Sequence, residues 1–165
     1  MYNASFYPTP PEVAEKMLAK VGKLSGRSIL EPSAGKGDLA DAAVGKLDRY
    51  YNRCREMVHC IEIEPELQAA IRGKGYPLVG TDFLTFWPDE KYDLIIMNPP
   101  FANGEAHLLH AWEILDHGDI VCLLNEQTLL NPCTSNRKLL PRSLRSTAKW
   151  SIWEAVSRRM RSERR

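Results

Sequence analysis

The sequence predicts an α/β fold, a doubly wound and mostly parallel sheet, and three features predict it. Five short apolar runs recur along the 165 residues, helix-patterned segments separate them, and four of the runs end in polar or glycine-rich clusters. Strands alternating with helices over this length read as a parallel sheet covered on both faces. Thr9-Pro10-Pro11-Glu12 reads as a capping box with proline in the first turn. Val13, Met17, Leu18, Val21 and Leu24 follow at helical spacing, so a first helix is expected over about residues 10–24, ended by Gly26. Ser28-Ile29-Leu30 is a short buried strand, and the next helix carries Leu39, Ala42, Ala43 and Leu47 on one side. A second strand covers Met57 to Ile61, a helix runs from Glu66 to Arg72 behind Pro65, and a third strand covers Tyr76 to Val79. Leu94 to Met97 is the fourth strand, Gly104 to Leu115 a helix, and Ile120 to Leu124 the fifth strand.

Composition narrows the function classes. Hydrophobic residues make up 44% and charged residues 26%, as in an ordinary globular domain with one core. No apolar run approaches the ~20 residues of a membrane span, and no basic-then-apolar signal peptide opens the chain. Cys54, Cys60, Cys122 and Cys133 form no Cys-x-x-Cys pair. That argues against a zinc site and for reduced thiols in a cytoplasmic protein. His107 and His110 share a helix, but no third ligand lies near, so they read as a packed or solvated face. The net charge of +1 is unevenly spread: residues 137–165 hold ten basic and two acidic residues, the remainder twelve and nineteen. An acidic body does not by itself grip a phosphate backbone, whereas the basic tail could.

Four segments carry candidate chemistry, each at the carboxyl end of a predicted strand, where doubly wound sheets bind ligands. In Glu31-Pro32-Ser33-Ala34-Gly35-Lys36-Gly37-Asp38 the two glycines allow a tight turn and a close backbone approach. The helix that follows would aim its free N–H groups at a carboxylate or phosphate. Neither a third glycine at dinucleotide spacing nor the Gly-Lys-Ser/Thr of a nucleotide loop is present. Glu62 follows Gly37 at close to the spacing of an acid that accepts ribose hydroxyls; it also reads as a solvent-facing glutamate. Asp82 could accept from an adenine amino group with Phe83 packing on the ring, or simply serve a Gly-Thr-Asp turn. Asn98-Pro99-Pro100-Phe101 follows the fourth strand. Proline fixes φ and extends the residue before it, so the Asn98 side chain and the next carbonyl can stand as paired acceptors for a flat amine, with Phe101 ready to stack. The same tetrapeptide also serves as a strand-ending turn.

Together these segments resemble the class I S-adenosylmethionine-dependent methyltransferases, in particular the branch that methylates adenine N6 in DNA, of the type found in phages and integrated elements. The resemblance runs from about residue 3 to 140 and implies a Rossmann-like sheet. Residues 31–38 look like the family's cofactor loop, and Ile61-Glu62-Ile63-Glu64-Pro65 its ribose-binding segment. Gly80-Thr81-Asp82-Phe83-Leu84 resembles its adenine-contacting segment, and residues 98–101 its catalytic tetrapeptide. Phe6-Tyr7-Pro8-Thr9-Pro10 looks like the segment that contacts the cofactor's methionine end. The resemblance thus implies catalytic roles for Asn98, Pro99, Pro100 and Phe101. It implies S-adenosyl-L-methionine contacts for Tyr7, Thr9, Glu31, Pro32, Ser33, Ala34, Gly35, Gly37, Asp38, Glu62, Ile63, Asp82 and Phe83. The substrate implied is adenine-containing DNA, with no metal. RNA adenine, a protein glutamine amide, or a cofactor-binding remnant without turnover are the alternatives.

Relatives continue past the fifth strand with a helix and a closing hairpin, whereas here the likeness stops soon after Leu140. Residues 1–140 are therefore expected to form the catalytic core and 141–165 a basic, poorly packed tail. A frameshift is one origin for that tail: residues 148–164 can be encoded by bases that, read out of phase, give an alternating, strand-like peptide. The sheet would then lack its last strands and keep an exposed edge. With no room for a recognition domain, a specificity subunit or a missing domain would choose the DNA sequence.

Overall fold

The computed structural model describes residues 7–47, 54–125 and 128. The calls for residues 141–165, and for the chain beyond Asn131-Pro132, lie outside the described residues. The helices are α1 (Pro11–Leu18), α2 (Asp38–Lys46), α3 (Pro65–Gly73) and α4 (Gly104–Ile114). The strands are β1 (Ile29–Glu31), β2 (Val58–Ile61), β3 (Leu78–Gly80), β4 (Tyr92–Met97) and β5 (Leu115–Cys122). They form one sheet in the order β3-β2-β1-β4-β5, and every pairing is parallel. The first crossovers lead outward to β3 and the chain then returns beside β1, which is the doubly wound topology expected.

Alternation along the central strands divides the core in two. Ile29, Val58, Cys60, Leu94 and Ile96 pack with Ala14, Leu18, Leu39, Ala43 and Ile71 of α1, α2 and α3. Leu30, Ile61, Ile95 and Met97 pack with Leu108, Ala111 and Ile114 of α4. Strands covered on both faces read as continuous apolar runs, which is why β1, β2 and β4 stand out in the sequence.

Two elements differ from the sequence pattern. Helix α1 stops at Leu18, well before Gly26. After it, Lys20 and Val21 bond to carbonyls three residues back. The Lys46 ammonium takes the carbonyls of Leu18 and Val21, a cation closing a helix C-terminus. Val21 and Leu24 still enter the core, so their spacing records burial rather than helix. Strand β5 begins at Leu115, directly after α4. Tyr92 faces Leu115 while Leu94 already faces Asp119, a bulge in which β5 carries extra residues. The exposed Asp116 and His117 and the glycine at 118 hide this stretch from a period-two reading.

The amino ends of β1, β4 and β5 are tied together by polar groups. The Asp93 carboxylate accepts from the N–H (2.9 Å) and the hydroxyl (2.9 Å) of Ser28. Arg27 donates to the Asp93 carbonyl (2.9 Å) and to the Asp119 carboxylate (2.7 Å). The Ser28 donors, with a smaller contribution from Arg27, hold the Asp93 carboxyl below the usual carboxylate range. Gly118 approaches this cluster so closely that a Cβ there would lie 1.7 Å from the Asp93 carbonyl oxygen. Gly118→Ala must therefore displace backbone, and it is expected to lower stability by about 3 kcal/mol or more, read as a drop in the urea midpoint.

Candidate active site

Because all pairings are parallel, the carboxyl ends of β1, β2, β3 and β4 lie along one edge, and the four predicted segments leave the sheet there. Residues 32–37 form the β1–α2 turn, with Gly35 at φ 57° and Gly37 at φ 83°, left-handed values that suit glycine. A Cβ on Gly37 would also meet Ile71 at 3.1 Å. The turn is tied to β2 by the Ala34 N–H donating to the Ile61 carbonyl at 3.0 Å.

Glu62 is 7% exposed, which rules out the solvent-facing alternative. One carboxylate oxygen accepts the Gly35 N–H at 2.6 Å and the other the Glu64 N–H at 2.9 Å. A carboxylate has about four lone-pair positions, so two remain for further donors. Ile63, beside it, is 64% exposed and leaves apolar surface next to this acid. The structure thus joins Gly35, Glu62 and Ile63.

Glu31 serves a different purpose from an open anion site. It is 1% exposed, and its carboxylate accepts the Ala40 N–H at 2.8 Å in the first turn of α2. A side chain of the protein itself thus takes one of the N–H groups at the helix N-terminus that the sequence suggested for a ligand anion. Burial drives its pKa well above the usual value of 4.5, Asp38 and Asp41 push the same way, and the Ala40 and Leu39 N–H groups oppose. Outside the turn, the Lys74 ammonium donates to the Lys36 carbonyl (2.6 Å) and pairs with Asp41 (2.6 Å). Lys74 bears no motif, and only the folded chain brings it to residue 36.

At β4, the Asn98 amide nitrogen donates to the Tyr7 carbonyl (3.3 Å) and to the Thr9 hydroxyl (3.2 Å). The Thr9 N–H in turn donates to the Asp38 carboxylate at 3.2 Å. This corrects the capping-box reading: Pro10 is the N-cap of α1, no side chain caps it, and Thr9 faces Asn98 instead. Tyr7 and Phe101 form an aromatic pair with centroids 5.0 Å apart, tilted by 43°. Pro99 is buried and Pro100 half-buried, and the Pro100 carbonyl accepts the Asn103 N–H at 3.1 Å. Tyr7, Thr9, Asp38, Asn98 and Phe101 are therefore linked through direct contacts.

Asp82 is exposed, and its carboxylate accepts the Leu84 N–H at 3.0 Å, capping a single turn over Phe83–Thr85. The Phe83 ring is 3% exposed, with His107 at 5.5 Å and His110 at 4.9 Å between centroids. Both histidines are buried: His107 is 3.0 Å from the Asn103 carbonyl and His110 is 2.8 Å from that of Phe86. They take the packed alternative, and they account for Phe83 without a ligand. Burial lowers the His107 pKa, opposed by its hydrogen bond to the Asn103 carbonyl and by the charge of Asp82.

No family model matches the chain. Among curated proteins it is 27% identical over 116 residues to the type II methyltransferase M.CvrRI of Paramecium bursaria Chlorella virus XZ-6E, covering 70% of this chain and 29% of that one. A Pyrococcus horikoshii protein described as a candidate RNA methyltransferase is 26% identical, with a TM-score of 0.58, covering 73% of this chain and 62% of that one. A modification subunit of a candidate type I restriction enzyme from Vibrio vulnificus YJ016 superposes with a TM-score of 0.65 at 16% identity, over 86% and 38% of the two chains. The glycopeptide N-methyltransferase MtfA, solved with S-adenosyl-L-methionine, gives 0.54 at 20% identity, over 75% and 59%. The fold is that of the class I S-adenosylmethionine-dependent methyltransferases, and the sequence is distantly related to a viral methyltransferase. The chain spans less than a third of the length of that relative.

The buried Glu31 gives a pH test. Its folded-state pKa lies above the unfolded value, so the stability tied to its neutral form is complete below 4.5 and is lost as pH rises through the folded value. Glu31→Gln keeps an acceptor for Ala40 and removes the buried charge. The Tm of the variant relative to wild type is expected to be highest at neutral and alkaline pH and to fall as pH approaches 4.5, measured by thermal scans in one buffer series.

Proposed function

We propose that this chain is the catalytic core of a methyltransferase that uses S-adenosyl-L-methionine to methylate the exocyclic N6 amine of adenine in DNA, in the cytoplasm of a bacterium or an infected host. The observation that carries the reading is the orientation of Asn98. Its amide nitrogen is committed to Tyr7 and Thr9, which leaves the amide oxygen as the acceptor. The viral type II relative and the restriction-type fold neighbour favour DNA as substrate.

The residues fit the cofactor. Glu62 keeps acceptor capacity for ribose hydroxyls after serving Gly35 and Glu64, and the exposed Ile63 offers apolar contact to a base. Asp82 lies at the end of the neighbouring strand, where it can accept from the adenine amine. When bound, S-adenosyl-L-methionine supplies an electrophilic methyl group on a sulfonium. The chain's own contribution is to prepare the nucleophile. An adenine amine delocalises its lone pair into the ring. The Asn98 amide oxygen and the Pro99 carbonyl, each accepting one N–H, favour a pyramidal nitrogen whose lone pair points out of the ring plane. Pro99 and Pro100 fix the backbone, so these acceptors need no reorganisation. Groups preorganised in this way typically contribute about 10²–10³ in rate. Phe101 stacks on a base turned out of the duplex, worth about 1–3 kcal/mol. A specificity subunit or recognition domain outside this chain selects the DNA sequence.

The decisive experiment is transfer of labelled methyl to an adenine-containing duplex, compared with RNA and with a protein extract; transfer confined to RNA or protein would reject DNA as the substrate. Asn98→Ala should reduce transfer by about 10²-fold or more while calorimetric binding of S-adenosyl-L-methionine stays within about twofold. Glu62→Ala and Asp82→Ala should do the converse, weakening cofactor binding by roughly tenfold or more before the rate at saturating cofactor falls.

A further inference from the structure

An asparagine amide can sit in either of two orientations related by a half-turn about its last torsion, and that torsion is intrinsically broad. Only one orientation presents oxygen to a target amine. The bond to the Tyr7 carbonyl favours that orientation, because a carbonyl can only accept. The second partner is the Thr9 hydroxyl, 3.2 Å from the Asn98 nitrogen. Thr9 is 7% exposed and is held from behind by its own N–H, which donates to Asp38 in the first turn of α2. Asp38 directly follows Gly37, the second glycine of the β1–α2 turn. One buried residue thus touches the Asn98 amide through its side chain and, through its backbone, the carboxylate of the residue that follows the glycine turn.

We propose that Thr9 is a positioning residue: its hydroxyl accepts the second Asn98 N–H and so holds the amide in the orientation that the Tyr7 carbonyl selects, oxygen toward the substrate nitrogen, and its N–H ties Thr9 to Asp38, the residue after the glycine turn. The inference rests on the methyl-transfer reading above, and it gives Thr9 a role through Asn98 rather than through direct contact with the cofactor.

The test compares Thr9→Val, which keeps shape and backbone N–H but removes the hydroxyl, with Thr9→Ser, which restores it. Three quantities are read on the full chain: the rate at saturating cofactor and substrate, the dissociation constant for S-adenosyl-L-methionine, and the Asn98 side-chain NH2 signals in ¹⁵N spectra, assigned by their loss in Asn98→Ala. Thr9→Val is expected to lower the rate roughly tenfold, leave cofactor affinity within about twofold, shift the Asn98 NH2 signals and speed their exchange with solvent. Thr9→Ser should return the rate to within about threefold and restore the signals. A turning-over protein whose rate and Asn98 signals are indifferent to Thr9→Val overturns this inference and leaves the methyl-transfer reading standing. Failure of Thr9→Ser to rescue also overturns it, since packing of the methyl group would then be the cause. A wild type that transfers methyl to none of the substrates overturns the functional reading and this inference with it.

Discussion

Two carboxylates placed at strand ends, each satisfied by backbone N–H groups of a neighbouring segment, hold the working edge of the sheet together. Glu62 closes β2 against the turn after β1 through Gly35, and Glu31 closes β1 against α2 through Ala40. Without the first, a turn with two left-handed glycines would have many conformations of similar energy. Without the second, the first turn of α2 would be buried with unmet donors. Buried acids are costly unless hydrogen-bonded. At Glu62 two N–H groups offset part of that cost, whereas at Glu31 burial outweighs the donors and raises the pKa.

This arrangement also decides what a ligand can find there. The Ala40 N–H in the first turn of α2 is already taken by Glu31, so a bound anion does not replace that carboxylate cheaply. What remains is acceptor capacity on the buried Glu62, the exposed apolar face of Ile63 and the exposed carboxylate of Asp82. Those groups suit a sugar edge and a base better than a phosphate. The Thr9 linkage then joins this half of the edge to the β4 tip, where Asn98 and the Tyr7–Phe101 pair stand.

Much of the fold was legible because central strands buried on both faces cannot disguise their apolar runs, and because glycine, proline and acid punctuation marks where they end. The Glu31–Asp38 segment, Glu62, Asp82 and Asn98 were visible for the same reason: each interrupts an apolar run at a point where topology gathers such interruptions. What sequence did not show depends on partners far away in the chain. Thr9 looks like a cap because Glu12 is three residues on, yet its hydroxyl meets Asn98, 89 residues later. The early end of α1 turns on Lys46, and the outer brace of the glycine turn on Lys74; neither has a local signature. Phe83 resembled a ligand-facing aromatic until two histidines of α4 were found around it. Strand β5 was misplaced at its start because a bulge and a glycine break the alternation that identifies strands.

The opposite rim of the sheet tells a complementary story. Arg27, Ser28, Asp93 and Asp119 lock the strand registers at the amino ends, and none of them takes part in the chemistry proposed at the other rim. Under the proposed function, alignment of the scaffold and recognition of the substrate fall to separate sets of side chains. Loops on the reactive rim can be lengthened, shortened or recoded while the strands stay in step, which lets a single framework be passed from one acceptor molecule to another over evolutionary time.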